Sequence, residues 1–266
     1  MKKRPICAVV LLLAALCGLL PGCTGEDTTD AAGETVVIGS DIYSPFFYLD
    51  DDGKFAGIDV EIATEACRRL GLTPKFRQIP WQSKDEYLGD GRTDCLWGSF
   101  SMNGREGDYA WAGPYMYSRQ VVVVNATSDI RTLKDLNGRY IAVQNGTKPD
   151  ELFSGDGIPG VSVRKVYGFD KVPTVFAALK KGYVDACAGH EPACLDYMRK
   201  ISGEYRVLDE SLLISDIGVA FDRGRGRLYA ERFSAVLSEM KADGTVRRIL
   251  EKYPLDVDFA LTGKEK

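Results

Sequence analysis

The chain has 266 residues, of which 45% are hydrophobic and 27% charged, a composition typical of a globular protein long enough for two lobes. This balance excludes a largely disordered chain. With 34 basic and 38 acidic side chains the formal net charge is −4, which argues against nucleic acid as a partner.

The N-terminal segment has the order of an export signal. Three basic residues at positions 2–4 precede an apolar run, from about Ile6 to Leu20, that is too short to span a membrane as a stable anchor. The sequence Leu20-Pro-Gly-Cys23 resembles the bacterial lipoprotein box, in which cleavage leaves the cysteine to carry lipid. The alternative is an ordinary secreted protein whose signal happens to contain a cysteine.

We therefore expect residues 1–22 to be a lipoprotein signal peptide, with Cys23 as the lipidated residue. Residues 23–34 are predicted to form a flexible tether, because the stretch after Cys23 is small, polar and acidic. Removal of residues 1–22 takes away three basic side chains. That leaves 31 basic against 38 acidic ones, a net charge of about −7.

Strand and helix patterns alternate along residues 35–98. The predicted strands are 35–40, 73–79 and 94–98, and the predicted helices are 57–70 and 85–91. The first helix has an apolar stripe at helical spacing, and Asp59 is expected to cap its first turn. Asp50–Gly53 has the chemistry of a hairpin turn.

The alternation continues to the C-terminus. The predicted strands are 120–125, 140–144, 163–167, 183–188, 205–208 and 214–221, and the predicted helices are 133–138, 145–151, 172–181, 228–240 and 242–253. Such alternation predicts an α/β fold.

Two turns carry the chemistry expected of a site for a small acid. In Gly98–Arg105, small residues and hydroxyls surround one arginine, whose planar guanidinium fits a carboxylate with two hydrogen bonds. At Gly146 and Thr147, free backbone N–H groups at the start of a predicted helix favour an anion. Taken alone, the second turn is more often a plain helix cap, and an exposed arginine is usually without function.

The pattern of glycine, aliphatic residues and acids in 57–70 resembles the signature of the bacterial extracellular solute-binding proteins of family 3, the polar amino-acid receptors of ABC importers. The likeness extends over nearly all of residues 35–255. It implies two Rossmann-like lobes joined by two hinge strands, the type II periplasmic binding protein fold. By this resemblance, lobe 1 comprises 35–121 and 217–266, and lobe 2 comprises 122–216.

The resemblance also implies which residues contact the ligand. Arg105 matches the arginine that grips the ligand α-carboxylate, Tyr43 a ring that packs on the ligand, and Trp81 an apolar wall. The expected ligand-binding residues are Asp41, Tyr43, Trp81, Gly98, Ser99, Ser101, Arg105, Gly146, Thr147, His190 and Glu191. Trp81 can equally be read as a core residue. No catalytic residue, cofactor or metal is expected.

His190 departs from the family pattern. Members usually place an aspartate there to pair with the ligand α-ammonium, whereas a neutral imidazole could accept a hydrogen bond from that ammonium but carries no charge to pair with it. Glu191 could supply the missing charge, although strand alternation would point it the other way. The chemical identity of the ligand is therefore open.

Four cysteines remain in the folded part. Cys67 could pair with Cys95, and Cys187 with Cys194, and four free buried thiols are the alternative. The spacing of the cysteines and of the single histidine does not suggest zinc.

The expected function is that of a lipid-anchored, extracytoplasmic and monomeric receptor that delivers an amino acid or similar carboxylate-bearing solute to an ABC permease. A second possibility is a secreted dehydratase of prephenate-like acids, in which His190 and Glu191 would act as acid and base. A third is a ligand-presenting domain for a membrane sensor, which shares every sequence feature with the first.

Overall fold

A computed structural model describes residues 34–155 and 157–265. The predicted signal peptide, Cys23 and nearly all of the predicted tether lie outside the described residues. The strands are β1 (Thr35–Ser40), β2 (Tyr48–Leu49), β3 (Phe55–Ala56), β4 (Thr73–Gln78), β5 (Cys95–Ser101), β6 (Ala110–Asn125), β7 (Tyr140–Gln144), β8 (Lys165–Phe169), β9 (Ala186–His190), β10 (Tyr205–Val207) and β11 (Leu213–Phe221). The helices are α1 (Ile58–Leu70), α2 (Lys84–Gly89), α3 (Lys148–Ser154), α4 (Val172–Lys180), α5 (Glu191–Lys200), α6 (Arg227–Ala242), α7 (Thr245–Leu250) and α8 (Val257–Thr262), with 3₁₀ turns at Trp81–Ser83 and Leu133–Leu136.

One mixed sheet runs through the described part of the chain, in the order β4-β1-β5-β11-β6-β9-β7-β8, with β10 beside β6. Strands β4, β1 and β5 are parallel and form the first half of the sheet. Strands β9, β7 and β8 are also parallel and form the second half. Strands β11 and β6 lie antiparallel between the halves. The α/β prediction is confirmed.

Strand β6 passes from one half of the sheet to the other. It pairs with β11 from Ala110 to Gln120, and with β9 from Gln120 to Val124. Strand β11 runs antiparallel to β6 and makes the return connection. It pairs with β6 along its length, and its C-terminal part also pairs with β5 of the first half. Two long strands therefore connect the halves.

Helix α1 confirms the helix predicted over 57–70. Its N-terminal neighbour Gly57 has φ 123°, and a Cβ atom there would lie 2.3 Å from the carbonyl oxygen of Phe46, so only glycine fits. The apolar stripe is buried against the sheet, where each aliphatic side chain contributes about 1.5–3 kcal/mol. The predicted capping role of Asp59 is wrong, because its buried carboxylate instead accepts hydrogen bonds from Ser99 N–H (2.7 Å) and Tyr115 Oη (2.6 Å).

Several element boundaries differ from the prediction. Strand β5 extends through Ser101, so the first half of the predicted Gly98–Arg105 turn is strand. Strands β8 and β9 begin two and three residues later than predicted. Helix α8 was not predicted.

All four cysteines of the described residues are buried and free. The two disulfide pairings considered from the sequence are therefore not present in the structure. Between residues 34 and 265, excluding 156, no helix is long and apolar enough to cross a membrane.

Candidate ligand-binding site

The carboxyl ends of the parallel strands of both halves meet at one cavity. Asp41 follows β1, Trp81 follows β4, and Gly98 begins the last part of β5, while Gln144 and His190 end β7 and β9. Ligand sites of open α/β sheets lie at this edge. The residues that line the cavity are Asp41, Tyr43, Trp81, Gly98, Ser99, Phe100, Ser101, Arg105, Gln144, Thr147, Lys148 and His190.

The structure brings nine of the eleven expected ligand contacts to this cavity. Gly146 and Glu191 are the two that do not line it. The Gly146 N–H donates to the Asp150 carboxylate at 2.8 Å, so this amide already has an anionic partner. Glu191 begins helix α5 and binds Arg119 (2.7 Å), beside a separate groove of about 450 Å³. Because Glu191 starts a helix, strand alternation does not describe its direction.

Four side-chain contacts bridge the two halves around the cavity. Gln144 donates from Nε2 to Asp41, and the His190 N–H donates to Tyr43 Oη at 3.1 Å. Arg105 binds Glu151. At the outer edge, Lys200 donates to Ser44 Oγ at 3.2 Å. The free volume left inside is about 20 Å³, room for about one water molecule and too little for an amino acid. Side chains must therefore move before a solute can enter.

Arg105 places a fixed positive charge in the cavity wall. Only 6% of its side chain is exposed, and its guanidinium carbon lies 4.9 Å from the centre of the Phe100 ring. Its Nη1 donates to the carbonyl oxygen of Ser101 (3.2 Å), and its Nε donates to Glu151 Oε1 (2.8 Å). The structure thus places a carboxylate of the protein itself, that of Glu151, against the guanidinium.

A buried polar network underlies the cavity beside Arg105. Ser101 Oγ donates to Ser215 Oγ at 2.8 Å, and the Gln120 amide nitrogen lies within 3.3 Å of both hydroxyls. The same amide nitrogen lies 2.9 Å from a ring nitrogen of His190. Burial, reinforced by the charge of Arg105, lowers the pKa of His190 to about 3, so the imidazole is neutral near pH 7.

This low pKa gives a direct test, because His190 is the only histidine in the chain. We expect its imidazole signals in an NMR titration of untagged protein to show no protonation step between pH 5 and 8. At a pH above 6.5, the usual pKa of histidine, His190 is unprotonated in both the folded and the unfolded state. Between pH 6.5 and about pH 3 only the unfolded chain binds the proton. His190 therefore lowers the free energy of unfolding as pH falls through this range. A midpoint near pH 6.5 in the folded protein would contradict the buried, neutral environment.

Asp41 and Ser99 complete the polar wall. Burial raises the pKa of Asp41 to about 6, although the hydrogen bond from Gln144 opposes the shift. Ser99 has φ 45°, a left-handed conformation that non-glycine residues seldom adopt, and its N–H donates a hydrogen bond to the Asp59 carboxylate.

Among residues 34–155 and 157–265, no group of three or more His, Cys, Asp or Glu side chains could hold a metal ion.

Four residues of the site, Phe100, Gln120, Gln144 and Lys148, are not among the ligand contacts expected from the sequence. Gln144 and Gln120 are the polar ends of otherwise apolar strand segments, 140–144 and 120–124, and a buried polar residue at a strand end is a signal that could have identified them. The side chain of Lys148, which lines the cavity, has no such signal, since a lysine at a helix start is ordinarily exposed.

Comparison with known proteins agrees with this architecture. Residues 36–256 match the profile of the bacterial extracellular solute-binding proteins, family 3. The chain belongs to this family. The resemblance inferred from the helix signature and the two turns is therefore confirmed.

Relatives in this family are binding proteins by name. The chain is 28% identical over 223 residues to the L-cystine-binding protein TcyJ of Escherichia coli K12, covering 82% of each chain. It is 30% identical over 215 residues to the L-cystine-binding protein TcyA of Bacillus subtilis, covering 79% of this chain and 77% of that one. The protein is accordingly a solute-binding protein.

Solved structures of relatives have the same fold. The L-arginine complex of Tv2483 superposes with a TM-score of 0.75 at 28% identity, over 82% of this chain and 90% of that one. An ancestral arginine-binding protein with bound arginine gives 0.74 at 27% identity, over 84% and 99%. The fold is that of the type II periplasmic binding proteins, with two lobes joined by two hinge strands. The ancestral precursor of cyclohexadienyl dehydratase, at 24% identity and a TM-score of 0.72, shares the fold alone.

Proposed function

We propose that the protein captures an amino acid or similar small carboxylate-bearing solute in the cavity between its two halves. The observation that carries the proposal is Arg105, a buried guanidinium that faces a cavity built from both halves and already holds a carboxylate there. Ser99 and Ser101 add hydroxyls beside it. Tyr43, Trp81 and Phe100, each at most 6% exposed, supply an apolar wall.

The amino-acid class of the ligand is supported by the relatives. Their names specify L-cystine and histidine, and the solved structures hold L-arginine. Because these ligands differ in side chain but share a carboxylate, the carboxylate is the group that we assign to Arg105.

Closure of two lobes is the proposed mechanism. We assign 35–121 and 217–266 to lobe 1 and 122–216 to lobe 2, and the transfer of β6 pairing from β11 to β9 at Gln120 supports this boundary. A solute that contacts both lobes stabilises the closed form by the difference between its affinities for the closed and open forms.

Delivery to an ABC permease would follow from closure, because the closed form presents a different surface from the open one. The family membership and the importer relatives support this role. We further propose lipid anchoring through Cys23, on the strength of the Leu20-Pro-Gly-Cys23 sequence, so that a monomeric receptor stays attached to the cell membrane, at the cell surface or in the periplasm.

Binding without catalysis is the favoured reading of the site. The dehydratase alternative requires His190 and Glu191 as acid and base, but His190 is neutral with a pKa of about 3, and Glu191 is bound to Arg119 outside the cavity. No acid and base pair is thus assembled from these two residues.

A thermal-shift screen of the twenty protein amino acids and L-cystine tests the proposal. A ligand at 100 times its dissociation constant stabilises the native state by about 2.7 kcal/mol, so at least one member should raise the melting temperature clearly. Absence of any shift would overturn the amino-acid assignment. Prephenate and arogenate serve as the control for catalysis, and their conversion to product would overturn the assignment as a binding protein.

A further inference from the structure

A carboxylate of the protein itself lies between two cations of the cavity. Glu151, on α3, accepts a hydrogen bond at Oε1 from Arg105 Nε (2.8 Å) and a second from Arg105 Nη2. Its other oxygen, Oε2, accepts from Lys148 Nζ at 3.0 Å. Arg105 comes from the first half and Lys148 from the second, so the two cations approach one anion from opposite sides of the cavity.

The three side chains differ in how firmly they are held. Only 6% of Arg105 and 13% of Lys148 is exposed, against 43% of Glu151. The ammonium of Lys148 also packs on the turn of the first half, since a Cβ atom at Gly104 would lie 3.0 Å from Nζ. The cations are thus confined to the wall, whereas Glu151 can rotate into solvent.

We propose that Arg105 and Lys148 together form the seat for the ligand carboxylate, and that Glu151 is an internal competitor that the ligand must displace. The proposal rests on the proposed function, and it adds Lys148 to the ligand-binding residues. It assigns to the seat a solute with a carboxylate free to contact both cations. The two carboxylates exclude each other because the same N–H groups cannot serve both.

Competition has a defined energetic consequence. The apparent affinity for a ligand falls by the fraction of molecules in which the seat is free, so a protein whose Glu151 holds the seat binds more weakly than one in which it cannot. The alternative is that Lys148 and Glu151 form only an i,i+3 ion pair, which would stabilise the helix slightly and contribute nothing to ligand binding.

The test is a double-mutant cycle with Glu151→Gln and Lys148→Met. The probe is the member of the screened set, the twenty amino acids or L-cystine, that binds wild-type protein most tightly, measured by titration calorimetry. Glu151→Gln should tighten binding several-fold, because an uncharged amide competes poorly for the cations. In the Glu151→Gln background, Lys148→Met should weaken binding about tenfold, as expected for the loss of one charge-assisted hydrogen bond. In wild type the same substitution should weaken binding less, because it also removes a hydrogen bond that holds the competing Glu151 in place.

The outcomes separate the possibilities. If Lys148 acts only through its ion pair, Lys148→Met has no effect once Glu151 is gone, and the proposed seat is overturned. Weaker binding by Glu151→Gln would also overturn it, because Glu151 would then assist the ligand. Asp129→Asn, which removes an exposed ion pair with Arg139 in the second half, is the matched control and should leave binding unchanged. If no member of the set binds wild type or Glu151→Gln, the proposed function fails together with the inference.

Discussion

Replacing Arg105 with alanine is expected to weaken binding of the tightest amino acid in the screen by about 30-fold or more, about 2 kcal/mol in binding free energy. The guanidinium is buried, and its partners in the wall, the Ser101 carbonyl and the Phe100 ring, fix its direction. A ligand carboxylate would therefore lose two directed, charge-assisted hydrogen bonds in a site that little water reaches. Titration calorimetry of the variant and wild type measures the change.

Two variants control for a loss of folding or of general charge. Arg131→Ala removes an exposed arginine of the second half and should leave both the melting temperature and the affinity near wild type. Arg105→Lys keeps the charge but loses the planar pair of donors, so its affinity should lie between those of wild type and Arg105→Ala. An unchanged dissociation constant for well-folded Arg105→Ala would remove this residue from the site.

The fold was predictable because its signals are local. The apolar stripe of α1, the Asp50–Gly53 turn and the apolar run of β6 each follow from the periodicity of a few neighbouring residues. Strand starts were less predictable. Asp185 was placed in a strand, yet its backbone N–H and side chain bind Tyr140 before the ladder of β9 begins, and sequence periodicity does not report which residue starts a ladder.

The cavity was predictable in location and only partly in its contacts. The parallel strands bring their carboxyl ends together, so polar residues after β1, β5, β7 and β9 had to converge. Contacts between distant residues have no such rule. The Arg105–Glu151 pair joins positions 46 residues apart, and the Asp59–Ser99 bond joins positions 40 apart. Asp59 looked like a helix cap because a cap and a buried anchor share the same local sequence.

Asp59 gives the second large expected effect, on stability rather than on affinity. It is 1% exposed, and burial raises the pKa of its carboxyl group to about 7 from a usual 3.8, although the hydrogen bonds from Tyr115 and Ser99 oppose the shift. Below pH 4 the carboxyl group is protonated in both states, and above pH 7 it is ionised in both. Between these values only the folded state holds the proton, so this residue lowers the free energy of unfolding as pH rises, by up to about 4 kcal/mol.

Asp59→Asn isolates this effect. The amide oxygen can accept from the Ser99 N–H and the amide nitrogen can donate to Tyr115 Oη, so both contacts persist without an ionisable group. In urea unfolding at a series of pH values, the free energy of unfolding of the variant should rise relative to that of wild type as pH increases from 4 to 8. Taking the difference between the two proteins cancels the opposite contribution of His190, whose low pKa favours the folded state at higher pH.

Glu65→Gln is the control of opposite sign. Hydrogen bonds from Arg68 and Arg69 lower the pKa of Glu65 to about 2, so the stability that it adds is present above its usual value of 4.5 and is lost as pH falls toward 2. A difference between wild type and Asp59→Asn that stays constant from pH 4 to 8 would mean that Asp59 ionises as freely in the folded protein as in the unfolded chain. The carboxylate that holds Ser99 in its left-handed conformation would then be hydrated, and the cavity wall beside Arg105 would lack the rigid support that binding in a dry site requires.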